Sequence, residues 1–426
     1  MASIQSFASE FVAAAGTSPN DAGFEGYQRL IRQFENLSLI SVWWLVGFGL
    51  AFIVLIVLSV IVRPKWWLFL FIPLTLACLI VGAVFAVNYH YTLYRTLGDA
   101  LQVPKYDTAT PAALQNAEAG KYPRGVVVQE SIDGTASGLG SLPADVYLPP
   151  QYFDHPDEKF PVIYLYHGIP DVAPPGTPDY GGPASLFTSA MSDDAALVAA
   201  QQGHPVVLVV PVVSPLTADT ECVDGVAGKW QTYLSVDVPA WVAKQPRLQT
   251  GPANTGMGGY SMGGFCAQVG ALRNPDKVSV VGNMSGYNQP TPPKSAGQAS
   301  LFGNVANLEA LVATYNSIHI VETSPASHSV TVWMDIGSSD DPALLAAQQQ
   351  FADTARAAGM YVVTNQVSGG VHGFDTWAQA FSDWIPWAAE ILHRPEGARS
   401  TSGSGANPQP STSTRAPTAA RPKAGS

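Results

Sequence analysis

Charge is what this chain has least of. Only 12% of its residues are Asp, Glu, Lys or Arg, and acids outnumber bases by 32 to 21. No basic stripe or interleaved run of aromatic and basic residues occurs in the globular part, which excludes nucleic acid as a partner. Cysteine is nearly absent, with three in 426 residues. Cysteines and histidines never fall into zinc-site spacings, and there is no phosphate-cradling glycine loop. No metal and no cofactor is therefore implied.

The shortage of charge is uneven. Leu39 to Val62 and Trp66 to Val87 contain no charged residue, and each is long enough to cross about 30 Å of hydrocarbon as a helix. Arg63-Pro64-Lys65 joins them, with Trp66 and Trp67 suited to the headgroup layer. This pattern predicts a transmembrane helical hairpin with both termini on one side. A buried helix pair in a soluble core is the alternative, and soluble cores rarely use two adjacent uncharged segments of this length. Residues 1–36 are too long and too acidic for a signal-peptide n-region, so the hairpin is expected to stay as an anchor. Arg63 and Lys65 favour a cytoplasmic turn, opposed by Arg29, Arg32 and Arg95 on the other side. Cys222 and Cys266 are either two thiols or a pair, and pairing needs an oxidising compartment. Together these favour an extracytoplasmic globular domain.

The expected organisation is an N-terminal segment at 1–36, the hairpin at 37–88, a connector at 89–121, a globular domain at 122–394 and a tail at 395–426. The tail is Ser, Thr, Pro, Ala and Gly with scattered bases, a composition that predicts disorder. In the globular domain, Gly125–Gln129 and Ala144–Leu148 read as an opening antiparallel pair. Pro161–Tyr166 is an uninterrupted apolar run, as in a central strand covered on both faces. Helix Ser192–Gln202, strand Val206–Val212 and a helix within Trp230–Lys244 follow. After the segment 254–273 come strands Val278–Gly282 and Ser329–Ile336, helix Pro342–Ala358, strand Met360–Val367 and helix Asp375–Leu392. This alternation predicts a mostly parallel sheet with right-handed crossovers.

The chemistry sits on the edges of that sheet. Gly259-Tyr260-Ser261-Met262-Gly263 has the spacing of a nucleophile elbow, in which glycines clear room around a serine at a strand-to-helix bend. A serine hydroxyl needs a base, and the base needs an acid to fix its tautomer. In this architecture they follow in the order Ser, acid, His. Past the strand Val330–Ile336 lies Asp340, the first choice for the acid, with the neighbouring Asp341 better suited to capping the next helix. Asp335, within the strand, is a third candidate. His372, in the loop Ser368-Gly369-Gly370-Val371-His372-Gly373, is the expected base. Oxyanion donors are the N–H groups of Met262 and Ile169. His167 reads as a loop-organising residue, and Asp171 to Gly182 as a pocket wall.

These motifs resemble the esterase D and antigen 85 family of α/β-hydrolases. The resemblance is carried by Val146-Tyr147-Leu148-Pro149-Pro150, Pro161 to Gly168, Gly259 to Gly264 and Gly369-Gly370-Val371-His372, in order, from about Tyr122 to His393. It implies an α/β-hydrolase fold and acyl-ester chemistry without a cofactor. Asp219-Thr220-Glu221-Cys222 with Gly264-Phe265-Cys266 is similar to membrane-anchored actinobacterial esterases, which implies that Cys222 and Cys266 pair outside the cell. The family includes ester hydrolases and the mycolyltransferases that acylate trehalose and arabinogalactan. Mycolyltransferases use Glu as the triad acid where this chain has Asp340. The resulting expectation is a membrane-anchored serine esterase or acyltransferase acting on acyl esters or glycolipids of the cell envelope. The alternatives are a non-catalytic cell-wall-binding module on a hydrolase scaffold and a cytoplasm-facing thioesterase such as S-formylglutathione hydrolase.

Overall fold

Apolar residues without periodicity and apolar residues in strict alternation make two different kinds of element here, in two units. A computed structural model describes residues 34, 37–62, 68–91, 97, 107–114, 117–169, 192–215, 219–292 and 297–394. Most of the N-terminal segment, the Arg63-Pro64-Lys65 turn with Trp66 and Trp67, the Asp171 to Gly182 wall and the tail lie outside these residues. The chain divides into compact units at 1–105 and 106–426.

In the first unit, helices α1 (Val42–Ile61) and α2 (Leu68–Tyr91) are both long and apolar enough to cross a membrane. Their outward faces are bare, with Trp43 75% and Phe69 87% exposed. The helices pack antiparallel. Asn88 Nδ2 donates to the Leu39 carbonyl at 3.2 Å and Cys78 Sγ to the Phe48 carbonyl at 3.4 Å. Interhelical bonds of this type are worth about 0.6 kcal/mol each, so they set register more than strength. Gly82 lets the helices meet closely, since a β-carbon there would lie 3.3 Å from Phe48 Cβ. Helix α1 begins three residues after the expected Leu39, at the Ser41 cap, whose hydroxyl accepts from Trp43 N–H. Helix α2 runs four residues beyond Val87.

The second unit is built on a nine-stranded sheet. Its strands are β1 (Asp107–Ala109), β2 (Val126–Gly134), β3 (Gly140–Leu148), β4 (Val162–Tyr166), β5 (Val207–Pro211), β8 (Thr255–Tyr260), β9 (Val280–Met284), β10 (Thr331–Gly337) and β11 (Val362–Val367). Strands β6 (Asp224–Gly225) and β7 (Gly228–Lys229) form a separate small ribbon. The sheet order is β1-β2-β3-β5-β4-β8-β9-β10-β11. Strand β3 is antiparallel to both β2 and β5, while β5, β4, β8, β9, β10 and β11 run parallel. Together with its flanking helices this is the α/β-hydrolase architecture.

Strand β4 explains the layering. Val162, Tyr164 and Tyr166 enter the core on one face, Ile163 and Leu165 the core on the other, and all are buried. Helices α4 (Met262–Arg273) and α5 (Pro342–Ala357) cover the first face. Helices α3 (Asp193–Gln201) and α6 (Phe374–His393) cover the second. Trp384 of α6 lies flat on β8 and β9, and only glycine permits it: a β-carbon at Gly258 or Gly282 would collide with its ring.

Several elements differ from expectation. The opening pair is longer, with β2 running on to Gly134 past the expected Gln129 and β3 starting at Gly140 before the expected Ala144. Strand β1, in the expected connector, pairs parallel with β2. Strand β9 runs to Met284, two residues beyond Gly282, because its end continues to pair with β8 and β10. The helix in Trp230–Lys244 has a π-turn over Tyr233–Asp237. Pro239 has no N–H, so the Ser235 carbonyl that it would have bonded accepts instead from Lys277 Nζ at 3.0 Å.

Candidate active site

Because β4, β5 and β8 to β11 are parallel, their carboxyl ends share one edge, and Ser261, Asp340, His372 and Ile169 all stand on segments leaving that edge. Ser261 stands between β8 and α4 with φ 54° and ψ −124°. That is a left-handed conformation for a residue with a β-carbon, and its cost is about 1–3 kcal/mol. The surroundings hold it there. A β-carbon at Gly259 would strike the Gly263 carbonyl, and one at Gly263 would strike the carbonyls of Tyr166 and His167. Ser261 N–H donates to the Met284 carbonyl at 2.8 Å.

Asp340 and His372 approach this serine from the loops after β10 and β11. Ser261 Oγ lies 3.0 Å from His372 Nε2. His372 Nδ1 lies 3.2 Å from both carboxylate oxygens of Asp340. The carboxylate places the ring proton on Nδ1, which leaves the Nε2 lone pair to accept from the serine hydroxyl. Burial alone would raise the Asp340 carboxyl. Hydrogen bonding and charge from His372, with the Asp341 N–H and Ser285 adding to them, hold it below the ordinary carboxylate range. Asp340 is buried while the His372 side chain is 37% exposed, so the base is open to solvent and the acid is not.

The supporting loops are laced together. Ser339 N–H donates to the Gly370 carbonyl at 2.8 Å, and Gly369 N–H to Ser338 Oγ at 2.7 Å. Trp377 stacks on Tyr260 at 4.5 Å and meets the His372 ring edge-on at 5.0 Å. The other two acids take no part. Asp341 caps α5 by accepting from Ala343 N–H at 2.7 Å. Asp335 is buried within β10, where Asn365 Nδ2 donates to it at 2.8 Å. Burial, with the Asp383 charge adding, pushes its carboxyl up to about 7.

Met262 is the first residue of α4, so its N–H is among the helix donors without an intrahelical acceptor. Ile169, 41% exposed, ends the described part of the loop after β4. That loop rests on the elbow: a β-carbon at Gly168 would lie 2.7 Å from the Tyr260 ring and 3.3 Å from Ser261 Cβ. His167 is fully buried, and its two ring nitrogens contact the Gly168 carbonyl and the Val213 N–H.

Cys222 and Cys266 form a disulfide that ties the segment after β5 to α4. Sequence reasoning missed what surrounds it. Glu221 is buried beside the disulfide, and Tyr287 donates to its carboxylate at 2.5 Å while Thr291 does so at 3.4 Å. Burial, and next the Asp219 charge, push this carboxyl up to about 8. Tyr287 in turn stacks on Phe265 of α4 at 5.0 Å. Ser285, with φ 56°, was missed as well; its N–H donates to the Asp335 carbonyl at 2.8 Å. Glu221 stood in the Asp219-Thr220-Glu221-Cys222 motif without a role of its own and Ser285 in no motif, because a polar residue in a polar loop carries no signal of burial. Among the described residues, no three or more His, Cys, Asp or Glu gather as a metal site would require.

Comparison with known proteins matches residues 140–394 to the family described as putative esterase. An uncharacterized protein of Corynebacterium glutamicum is 27% identical over 361 residues, covering 82% of each chain. The diacylglycerol acyltransferase/mycolyltransferase Ag85A of Mycobacterium leprae is 26% identical over 199 residues, covering 40% of this chain and 58% of that one. Among solved structures, a ferulic acid esterase superposes with a TM-score of 0.51 at 20% identity, over 62% of this chain and 98% of that one. At that identity the likeness speaks for the fold.

Proposed function

Because this chain belongs to the putative esterase family, and with it to the serine ester hydrolases and acyltransferases related to antigen 85, we propose that Ser261, His372 and Asp340 are its catalytic triad. The observation that carries this reading is the unbroken relay from Ser261 Oγ through the His372 ring to Asp340, at 3.0 and 3.2 Å.

In this mechanism Ser261 Oγ attacks the acyl carbonyl while His372 Nε2 takes its proton. Asp340 stabilises the imidazolium and keeps the ring in its productive tautomer. The N–H groups of Met262 and Ile169 receive the developing oxyanion, each worth about 2.7–4 kcal/mol in the transition state. His372 then returns the proton to the departing alcohol, leaving an acyl-serine. Water or a sugar hydroxyl, deprotonated by the same nitrogen, releases the acyl group.

The two apolar helices support anchoring in a membrane, and the disulfide supports an oxidising, extracytoplasmic location. On this reading the substrates are acyl esters or glycolipids of the cell envelope. A fluorophosphonate probe tests the centre: the native chain is expected to be labelled at Ser261, and Ser261→Ala to lose both labelling and ester turnover while melting at the same temperature. Labelling that survives the substitution would refute the assignment. A product assay with a generic acyl ester, with and without trehalose, separates hydrolysis from transfer.

A further inference from the structure

His167 lies outside the relay, yet it is the most completely specified histidine of the site. It is fully buried, one residue past β4 and two before Ile169. Its Nε2 lies 3.1 Å from the Val213 amide nitrogen, and an amide can only donate. Nε2 therefore carries no proton. Its Nδ1 lies 2.7 Å from the Gly168 carbonyl oxygen, which can only accept. The ring is thus neutral, with its proton on Nδ1, and burial keeps it neutral by holding the imidazole down at about 4.

The consequence runs through one peptide plane. The carbonyl of Gly168 and the N–H of Ile169 belong to the same trans peptide and point in opposite directions. Drawing the carbonyl oxygen onto the buried ring turns the Ile169 N–H the other way, out of the core. A β-carbon on Gly168 would lie 3.3 Å from Ser261 Cβ, so this peptide stands beside the nucleophile, and its far end at Ile169 is open to solvent. Val213 is itself held: Thr220 Oγ1 donates to its carbonyl at 3.3 Å, and Cys222 N–H donates to the same hydroxyl at 3.3 Å. The disulfide then fastens Cys222 to the helix that begins at Met262. The two expected oxyanion donors are in this way referenced to each other.

We infer that His167 is a positioning residue of the reaction: its Nδ1–H tautomer orients the Gly168–Ile169 peptide so that the Ile169 N–H meets the oxyanion. The inference rests on the serine mechanism proposed above. Loss of one oxyanion donor typically costs about 10²–10³-fold in kcat. The test compares wild type, Ser261→Ala, His167→Ala and His167→Asn as full chains in detergent with a p-nitrophenyl ester. His167→Ala is expected to lower kcat about 10²-fold, with KM within about threefold, and to weaken a trifluoromethyl ketone inhibitor by a similar factor. His167→Asn, whose amide can donate from nearly the position of Nδ1, is expected to recover at least about tenfold of that loss.

Nitrogen-15 spectra of the wild-type histidine rings provide a readout independent of any variant's folding, and are expected to show His167 protonated on Nδ1 alone. A ring protonated on Nε2 would overturn the inference, as would a His167→Ala kcat within about threefold of wild type or equal losses in the two His167 variants. Activity that persists in Ser261→Ala would instead overturn the underlying mechanism.

Discussion

The interior of the sheet and its carboxyl edge are built from the same strands and obey different rules. Inside, backbone is regular and side chains are chosen for fit, as where Gly258 and Gly282 make a seat for Trp384. At the edge, backbone conformation itself is unusual. The four non-glycine residues with positive φ among those described are Glu221, Cys222, Ser261 and Ser285. All four lie on segments that leave the carboxyl ends of β5, β8 and β9. Strain of this kind persists only where the surroundings over-determine it, and it collects where a site is assembled.

Two aspartates five residues apart make the contrast chemical. Asp335, in the interior, is raised to about 7 by burial and its neighbour Asp383. Asp340, at the edge, is also opposed by burial, though less deeply, and His372 and its other hydrogen bonds outweigh it and hold the acid low. One carboxyl is held where ionisation is opposed, the other where ionisation is favoured.

Removing the edge carboxyl has the largest expected effect. Asp340→Asn keeps the shape but leaves His372 free to adopt the wrong tautomer, and kcat should fall about 10⁴-fold. Steady-state kinetics decide it, and a fall below about tenfold would dissolve the distinction between the two acids. Breaking the interior should do the reverse. Trp384→Ala empties the seat over Gly258 and Gly282 and should cost about 3–5 kcal/mol in urea unfolding. The folded fraction should keep its kcat within about threefold, and a cost under about 1 kcal/mol would mean that the ring is not the packing centre described.

The smallest effect concerns Asp335 and depends on pH. Its folded value lies above the ordinary carboxylate value near 4. The unfolded chain therefore loses its proton first, and stability declines as pH climbs from about 4 to about 7. The opposite holds for Asp340, whose stabilisation is present above about 4 and is lost as pH falls through its depressed value. Asp335→Asn should match wild type in melting temperature near pH 4 and exceed it near pH 8. Equal curves at both values would show that this carboxyl is better solvated than its position implies.

Much of this division was legible before any coordinates. Uninterrupted apolar runs marked β4 and β5, since a strand covered on both faces needs no alternation. The glycines around Ser261 marked the elbow, and acid and histidine beyond strand ends marked the two loops that the structure brings to it. The structure also puts Cys222 and Cys266 together, a pairing that the residues alone left open. What could not be read depends on contacts between distant segments. Strand β1 is three residues long and exists only because β2 offers it an edge. The glycines of β8 and β9 gave no hint that a tryptophan more than a hundred residues later would rest on them. Glu221 was noticed only as a member of a motif and Ser285 not at all, since nothing local marked either as buried, and His167 showed its location without its tautomer.

The staple between residues 222 and 266 also makes the history of the polypeptide part of its specification. Cys266 stands five positions past the nucleophile, on the helix that follows it. A copy made in a reducing cytosol would contain every group needed for turnover, yet its elbow helix would be moored without a covalent tie, by packing and by hydrogen bonds such as Asn283 Nδ2 to Gln268 Oε1. Recombinant material should therefore be compared by its thiol content before its rates are compared.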